Sequence, residues 1–148
     1  MRIVFYYLMY VSYANEPFTQ SKLKELLNTC RINNKKRDVT GMLLYIDGKF
    51  LQVLEGRKED VNFIFENIVK DPRHKKVNVI IEGRLSKRNF EAWHMSFKSF
   101  TARQFRKISG FKNLESFFQN NRITNESHVS LVFLKLFYNK NYKPISLT

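Results

Sequence analysis

Val39-Thr40-Gly41-Met42-Leu43-Leu44-Tyr45-Ile46, then Asp47-Gly48, then Lys49-Phe50-Leu51-Gln52-Val53-Leu54: two apolar runs meet at a two-residue hinge. Asp-Gly between strand-like runs is a strong hairpin signal, because both central residues of a type I′ turn take positive φ. The stretch therefore predicts paired strands over residues 39–46 and 49–54. Gln52 is the odd residue in the second. A primary amide has two donors and an acceptor with two lone pairs, and burying it unpaired costs about 1–3 kcal/mol. An amide in a strand that otherwise reads as buried implies that something inside the protein bonds to it.

Upstream of the hairpin, Leu23, Leu26, Leu27 and Cys30 fall at i, i+3, i+4 and i+7, which predicts an amphipathic helix over residues 19–33, ended by Lys35-Lys36-Arg37. Before it, residues 3–12 are β-branched and aromatic and read as a first strand. Downstream, Val61, Ile64, Phe65 and Ile68 repeat the helical spacing, with Asp60 near the start and Pro72 as the stop. Residues 77–85 form another strand. Residues 90–97 end with Trp93, Met95 and Phe97 at period two, a last strand. The order is β-α-β-β-α-β-β, which predicts an α+β fold: a ferredoxin-like βαββαββ sandwich with a mixed five-stranded sheet. Right-handed crossovers put both helices on one face. Beyond it, residues 102–108 and 129–138 look helical, so the chain divides into a domain over residues 1–98 and a C-terminal helical extension over residues 99–148.

The 148 residues carry a formal net charge of +13, unevenly spread. Residues 1–97 hold 17 Lys/Arg against 11 Asp/Glu, whereas residues 98–148 hold 9 against 2. A basic extension suits an acidic partner, nucleic acid or anionic lipid, and equally a solvated surface. Hydrophobic residues make up 43%, enough for a core. The single cysteine, Cys30, allows no intrachain disulfide, and His74 has no second His or Cys at ligand spacing, so no metal is expected. Reduced cysteine usage fits the cytoplasm. No apolar run approaches the ~20 residues that span a bilayer.

Several polar residues point at one interior. Tyr10 is near the end of the first strand, and Asn34, eleven residues after Leu23, continues the apolar face of the first helix. Gln52 is in the third strand, Arg73 and His74 follow the stop of the second helix, and Trp93 and Met95 share one face of the last strand. Each but Gln52 has an ordinary structural role on its own: a strand tyrosine, a helix C-terminal Asn, a solvated loop, core side chains. Together, a hydroxyl, two amides and a guanidinium near one helix-flanked cavity suit a ligand with a flat, polar, hydrogen-bonding edge.

Tyr10-Val-Ser-Tyr-Ala14, Asn33-Asn34, Val39-Thr-Gly41-Met-Leu-Leu-Tyr45, Phe50-Leu-Gln52-Val-Leu-Glu-Gly56, Asp71-Pro-Arg-His74 and Trp93-His-Met95 together resemble the BLUF family of flavin-using blue-light sensors, short single-domain type. The steps of 24 residues from Tyr10 to Asn34, 18 on to Gln52 and 41 on to Trp93 fit its register. The resemblance covers residues 1–98. It implies a noncovalent flavin between the two helices, FAD as a rule, with FMN sharing the same ring contacts. It makes Asn34 the amide on the pyrimidine edge, Asn33 its neighbour, and Arg73 and His74 residues at that edge. Tyr10 and Gln52 match the photoactive pair, and Trp93 and Met95 the adjoining signalling strand. Cys30 stands where many relatives carry Ser, and a thiol is a weaker hydrogen-bond partner.

The resemblance further implies light-driven electron and proton transfer from Tyr10 through Gln52, a rearranged amide and a small red shift of absorption. The signal would pass through the last strand to the basic extension, read by a homo-oligomer or a separate protein partner, with no catalytic domain fused. Two rivals share the fold class: a basic nucleic-acid-binding module, which lacks RNP-type aromatics on its strands, and an acylphosphatase-like hydrolase, which lacks a phosphate-cradling loop after the first strand. Nucleic acid is at most a secondary partner of the extension.

Overall fold

The computed structural model describes residues 4–88, the backbone of residues 96–100, and Arg103. Within them the order is β1 (Phe5–Ala14), α1 (Gln20–Lys36), β2 (Thr40–Ile46), β3 (Lys49–Gly56), α2 (Lys58–Lys70), β4 (His74–Leu85) and β5 (Ser96–Phe100). Strands β1 to β4 form an antiparallel sheet in the order β4-β1-β3-β2, and the backbone of β5 lies parallel to β2. The architecture is α+β with two helices.

The hairpin forms where its sequence puts it. Asp47 and Gly48 take φ of 44° and 83°, and Ile46 pairs with Lys49. A glycine at Gly48 and an aspartate at Asp47 accept the left-handed region that the twist of the strands demands. Helix α1 starts because Thr19 caps it: its hydroxyl oxygen accepts the Lys22 N–H at 3.2 Å, worth about 1 kcal/mol. Helix α2 has no side-chain cap but carries Glu59 and Asp60 in its first turn, where the helix dipole favours negative charge. It stops at Lys70. Asp71 precedes Pro72, and that position disfavours helical backbone; Asp71 takes φ −72°, ψ 120°.

Even-numbered β1 residues and the inward positions of β2 and β3 meet the buried stripe of the helices. Leu8, Leu26, Leu27, Leu43, Leu54 and Val61 form the centre of this core, each 4% exposed or less. The other face of the sheet is also apolar and buried: Met9, Val11, Met42, Leu44, Leu51 and Val53. Burial on both faces explains why β2 and β3 read as continuous apolar runs rather than alternations.

Several boundaries depart from expectation: β1 runs on to Ala14, β3 to Gly56 and the last strand to Phe100. Helix α1 runs on through Asn34 to Lys36, because the Arg37 and Val39 N–H groups both donate to the Asn34 carbonyl and close its end. His74 is not part of a solvated loop: it opens β4, pairs with Ala14 and is buried, while Arg73 stays in the part-exposed turn before it. The β1–β4 ladder extends three residues further than the apolar pattern of residues 77–85 because backbone pairing needs no apolar side chain. Trp93, Met95 and the helices expected over residues 102–108 and 129–138 lie outside the described residues, Arg103 apart.

Gly41 leaves no room for a side chain: a Cβ built there would collide with the Val53 carbonyl oxygen across the β2–β3 pair. Backbone cannot swing aside as a side chain can. Gly41→Ala is expected to destabilise the fold by about 3 kcal/mol or more, read as a drop in the urea midpoint with the m-value unchanged.

Candidate functional site

The site follows from register. Tyr10 on β1 lies opposite Gln52 on β3, and Gln52 lies opposite Leu43 on β2. Residues directly opposite share a face, so phenol and amide point together toward the helices. There the Tyr10 hydroxyl donates to Gln52 Oε1. Both residues are 1% exposed. On the other side of β1 the ladder with β4 slips between Met9 and Tyr10 and again between Val11 and Tyr13. Such bulges bend a strand and re-aim its side chains, here around Tyr10. The Tyr10 ring packs on Phe65 of α2, centroids 5.5 Å apart at 54°.

A cleft between the sheet and the two helices is lined by Tyr10 and Gln52 from the sheet, Cys30, Asn33 and Asn34 from α1, Asn67 and Ile68 from α2, and Asp71, Arg73 and His74 from the α2–β4 junction. The structure thus gathers Tyr10, Cys30, Asn33, Asn34, Gln52, Arg73 and His74 in one place. The Asn34 side chain is buried with Leu23, Leu26 and Leu27 on the inward stripe of α1.

The charge states are consistent. Burial, with Cys30 and Asp71 adding to it, pushes the Tyr10 phenol well above its ordinary range. Burial pushes the Cys30 thiol up to about 11, against the pull of Arg73. Both stay protonated near neutrality. Burial lowers His74, an effect that Asp71 opposes and Arg73 reinforces, so His74 is neutral. Its Nδ1 lies 3.0 Å from Ser12 Oγ, and its ring meets Phe50 edge-on with centroids 4.9 Å apart. Ser12 had no assigned role in the sequence reading; the available signal was its position two residues after Tyr10, on the same strand face.

Arg73 lines the cleft but is engaged at its rim. Its Nε donates to Asp71 Oδ1 at 3.0 Å and its Nη2 to Asp71 Oδ2 at 2.6 Å, while its backbone N–H also donates to Oδ1. Burial alone would raise the Asp71 carboxyl; the Arg73 fork outweighs it and holds that carboxyl below its usual range. Asp71 is the second residue with no role assigned from sequence, where it stood only within the motif Asp71-Pro-Arg-His74.

The donor set fits an uncharged planar ring with a polar edge. The lining includes buried amides at Asn34 and Gln52, groups that carry both donor and acceptor chemistry, as an edge of alternating carbonyl and N–H groups requires. An anion in the cleft would need a desolvated cation, and the guanidinium at the rim already holds a carboxylate.

Fold and site together define an α+β ligand-binding domain with a phenol–amide pair at its centre. The chain belongs to the BLUF family, sensors of blue light using FAD, whose model matches residues 5–96. Photoactivated adenylate cyclase subunit alpha of Euglena gracilis is 38% identical over 90 residues, 60% of this chain and 9% of that protein. The blue light- and temperature-regulated antirepressor BluF of Escherichia coli (strain K12) is 37% identical over 67 residues, 45% of this chain and 17% of that protein. The chain therefore spans a small part of either relative. Among solved structures, BlsA in its ground state superposes with a TM-score of 0.77 at 23% identity, covering 97% of this chain and 93% of that one. BlrB, a BLUF protein in its dark state, gives 0.70 at 21% identity over 90% and 99%. Among the described residues no helix is long and apolar enough to cross a membrane.

His74 makes the site acid-sensitive. A base whose folded pKa lies below its unfolded value of 6.5 binds protons more readily once unfolded. Its neutral, Ser12-bonded form is therefore fully stable above that value and loses stability as pH falls through and below it. The urea midpoint is expected to drop between pH 7 and pH 5, and His74→Gln, which does not titrate, should flatten that slope.

Proposed function

We propose that this chain is a blue-light photoreceptor that holds a flavin noncovalently in the cleft between α1, α2 and the sheet, FAD being the expected form and FMN able to make the same ring contacts. The observation that carries this reading is the buried hydrogen bond from Tyr10 to Gln52 beside the Asn34 amide, inside the segment that matches the BLUF family. Asn34 and Asn33 would hold the pyrimidine edge of the ring, with Cys30, Arg73 and His74 around it. A flavin bound there supplies, on absorbing blue light, a strong one-electron oxidant.

The residues can do the rest. A phenol that gives up an electron becomes a strong acid, and the Tyr10 proton already lies on a hydrogen bond to Gln52 Oε1. The amide can accept that proton at oxygen and release one from nitrogen, because it carries both functions. When electron and proton return to Tyr10, Gln52 is left rotated or tautomerised, with its hydrogen bonds redistributed. A change of about 1–2 kcal/mol in those bonds is enough to bias a two-state element of similar gap.

Residues 1–98 would then form the flavin domain, completed by a fifth strand with Trp93 and Met95 beside it, and residues 99–148 a basic helical extension. The domain would sense without a catalytic activity of its own, signalling from the cytoplasm through the extension to a second copy of the chain or a separate protein.

Purified or refolded with FAD, the protein should be yellow and should undergo a small, reversible red shift under blue light; a colourless protein that refuses FAD sinks the proposal. Tyr10→Phe and Gln52→Leu should each stay yellow and lose the red shift, and a normal light response in either refutes its role. Asn34→Leu should weaken flavin binding roughly ten-fold or more, the cost of a lost buried hydrogen bond, measured by flavin fluorescence titration.

A further inference from the structure

A second hollow, of about 310 Å³, lies beside the cleft. Small-molecule sites begin at about that size. It shares Arg73 with the cleft and is otherwise lined by residues that the cleft does not use. On α1 the lining of the two runs on without a break: Lys22 and Glu25 line the hollow, Thr29 and Asn33 the cleft. Steps of three and four residues keep to one side of a helix, so hollow and cleft are consecutive stretches of one groove. From Lys22 to Asn33 that groove runs roughly 16 Å, at about 1.5 Å per residue.

The walls of the hollow are tied together. Asn15 Nδ2 donates to the Pro72 carbonyl, and the Asn15 N–H donates to the Arg73 carbonyl at 3.1 Å. These bonds join the β1–α1 connection to the α2–β4 junction. Phe18 is held from behind: its N–H donates to the Tyr45 hydroxyl at 3.1 Å, and its ring meets Phe50 edge-on with centroids 5.2 Å apart.

Three kinds of chemistry meet there. Phe18 and Pro72 supply apolar surface, including a ring on which a flat base can stack. Glu16 and Glu25 supply carboxylates, which accept from an exocyclic amino group. Lys22 supplies a cation for phosphate. Its Nζ lies 3.9 Å from a Glu16 oxygen, but the two side chains are 56% and 82% exposed, and so open an ion pair is worth little and yields to a ligand. The Asp71 fork takes Arg73 Nε and Nη2 and leaves Nη1 outside it. An apolar guest would not use the charges, and a bare anion would meet two carboxylates. A nucleotide, with an amino-bearing base at one end and phosphate at the other, uses all three.

Resting on the flavin reading above, we propose that this hollow is an adenosine-phosphate subsite that receives the nucleotide half of FAD, with the base against Phe18 and Pro72 and phosphate at Lys22, so that the chain selects FAD over FMN. Asn33 and Asn34 stand at the opposite end of the groove from Lys22, and a ring bound there by its polar edge has the rest of the groove ahead of it.

Titration of the full chain with riboflavin, FMN and FAD, read by flavin fluorescence, separates ring from tail. FAD is expected to bind about ten-fold or more tighter than riboflavin or FMN, the yield of one stacked base. Lys22→Ala and Phe18→Leu should each remove most of that advantage and leave riboflavin binding unchanged, which also shows that the variant is folded. If Phe18→Leu does not fold, Lys22→Ala and Glu25→Gln decide by the same comparison. AMP should compete with FAD and leave riboflavin binding unaltered. Equal affinities of the unsubstituted chain for the three flavins overturn the proposal, as does a preference for FAD that the folded variants keep. AMP that binds the FAD-loaded chain as well as the riboflavin-loaded one makes the hollow a separate nucleotide site and overturns it too. A chain that takes up none of the three flavins defeats the photosensor reading, whereas a flavin-binding chain indifferent to the tail defeats only the subsite.

Discussion

The hydrogen bond between Tyr10 and Gln52 depends on one alignment, that of β1 against β3. A slip of one residue would turn the phenol to the far face of the sheet while leaving the amide behind. Each group is almost wholly removed from water, and a buried polar group without a partner costs about 1–3 kcal/mol. The pair therefore rewards the register that creates it. Two other features fix the neighbouring register of β2 against β3: the Asp47-Gly48 turn, and the close approach of Gly41 to Val53, which admits no side chain between them. The bulges beside Tyr10 absorb the mismatch with β4 without disturbing β3.

Around that bond the interior is kept neutral. Burial holds Tyr10 and Cys30 protonated and His74 uncharged, and the opposite charges of Asp71 and Arg73 cancel at the rim. A neutral cavity with paired amides suits an aromatic heterocycle and is poorly built for an acyl phosphate, whose charge would need a cation that Asp71 already occupies. A neutral phenol is also what electron donation coupled to proton transfer requires, since the proton must still be there to move.

The packing around Gln52 is tight on both sides of the sheet. Strands β2 and β3 are buried on both faces, and close-packed cores transmit displacement rather than absorb it. The turn at Asp38, the start of β2 at Thr40 and the end of β3 at Glu55 converge on one buried guanidinium, that of Arg88.

Much of this was legible in the residues alone. The hairpin, the two helical stripes and the stop at Pro72 depend on neighbours within a few positions, and local periodicity and turn chemistry record them directly. Gln52 and Asn34 stood out because an amide interrupts an apolar pattern. Ser12 beside His74, the Asp71–Arg73 fork and the three-way contact of Arg88 were not legible. Serine and arginine are ordinary residues in ordinary places until the fold supplies partners 62 and 48 positions away, while the Asp71–Arg73 pair, 2 apart, depends on the local turn before β4. Sequence by itself determined which segments are strands and helices and which of them carry an out-of-place amide. Tertiary structure alone decided which groups meet, because pairing across strands is set by register and by long-range packing, and neither leaves a mark within one segment.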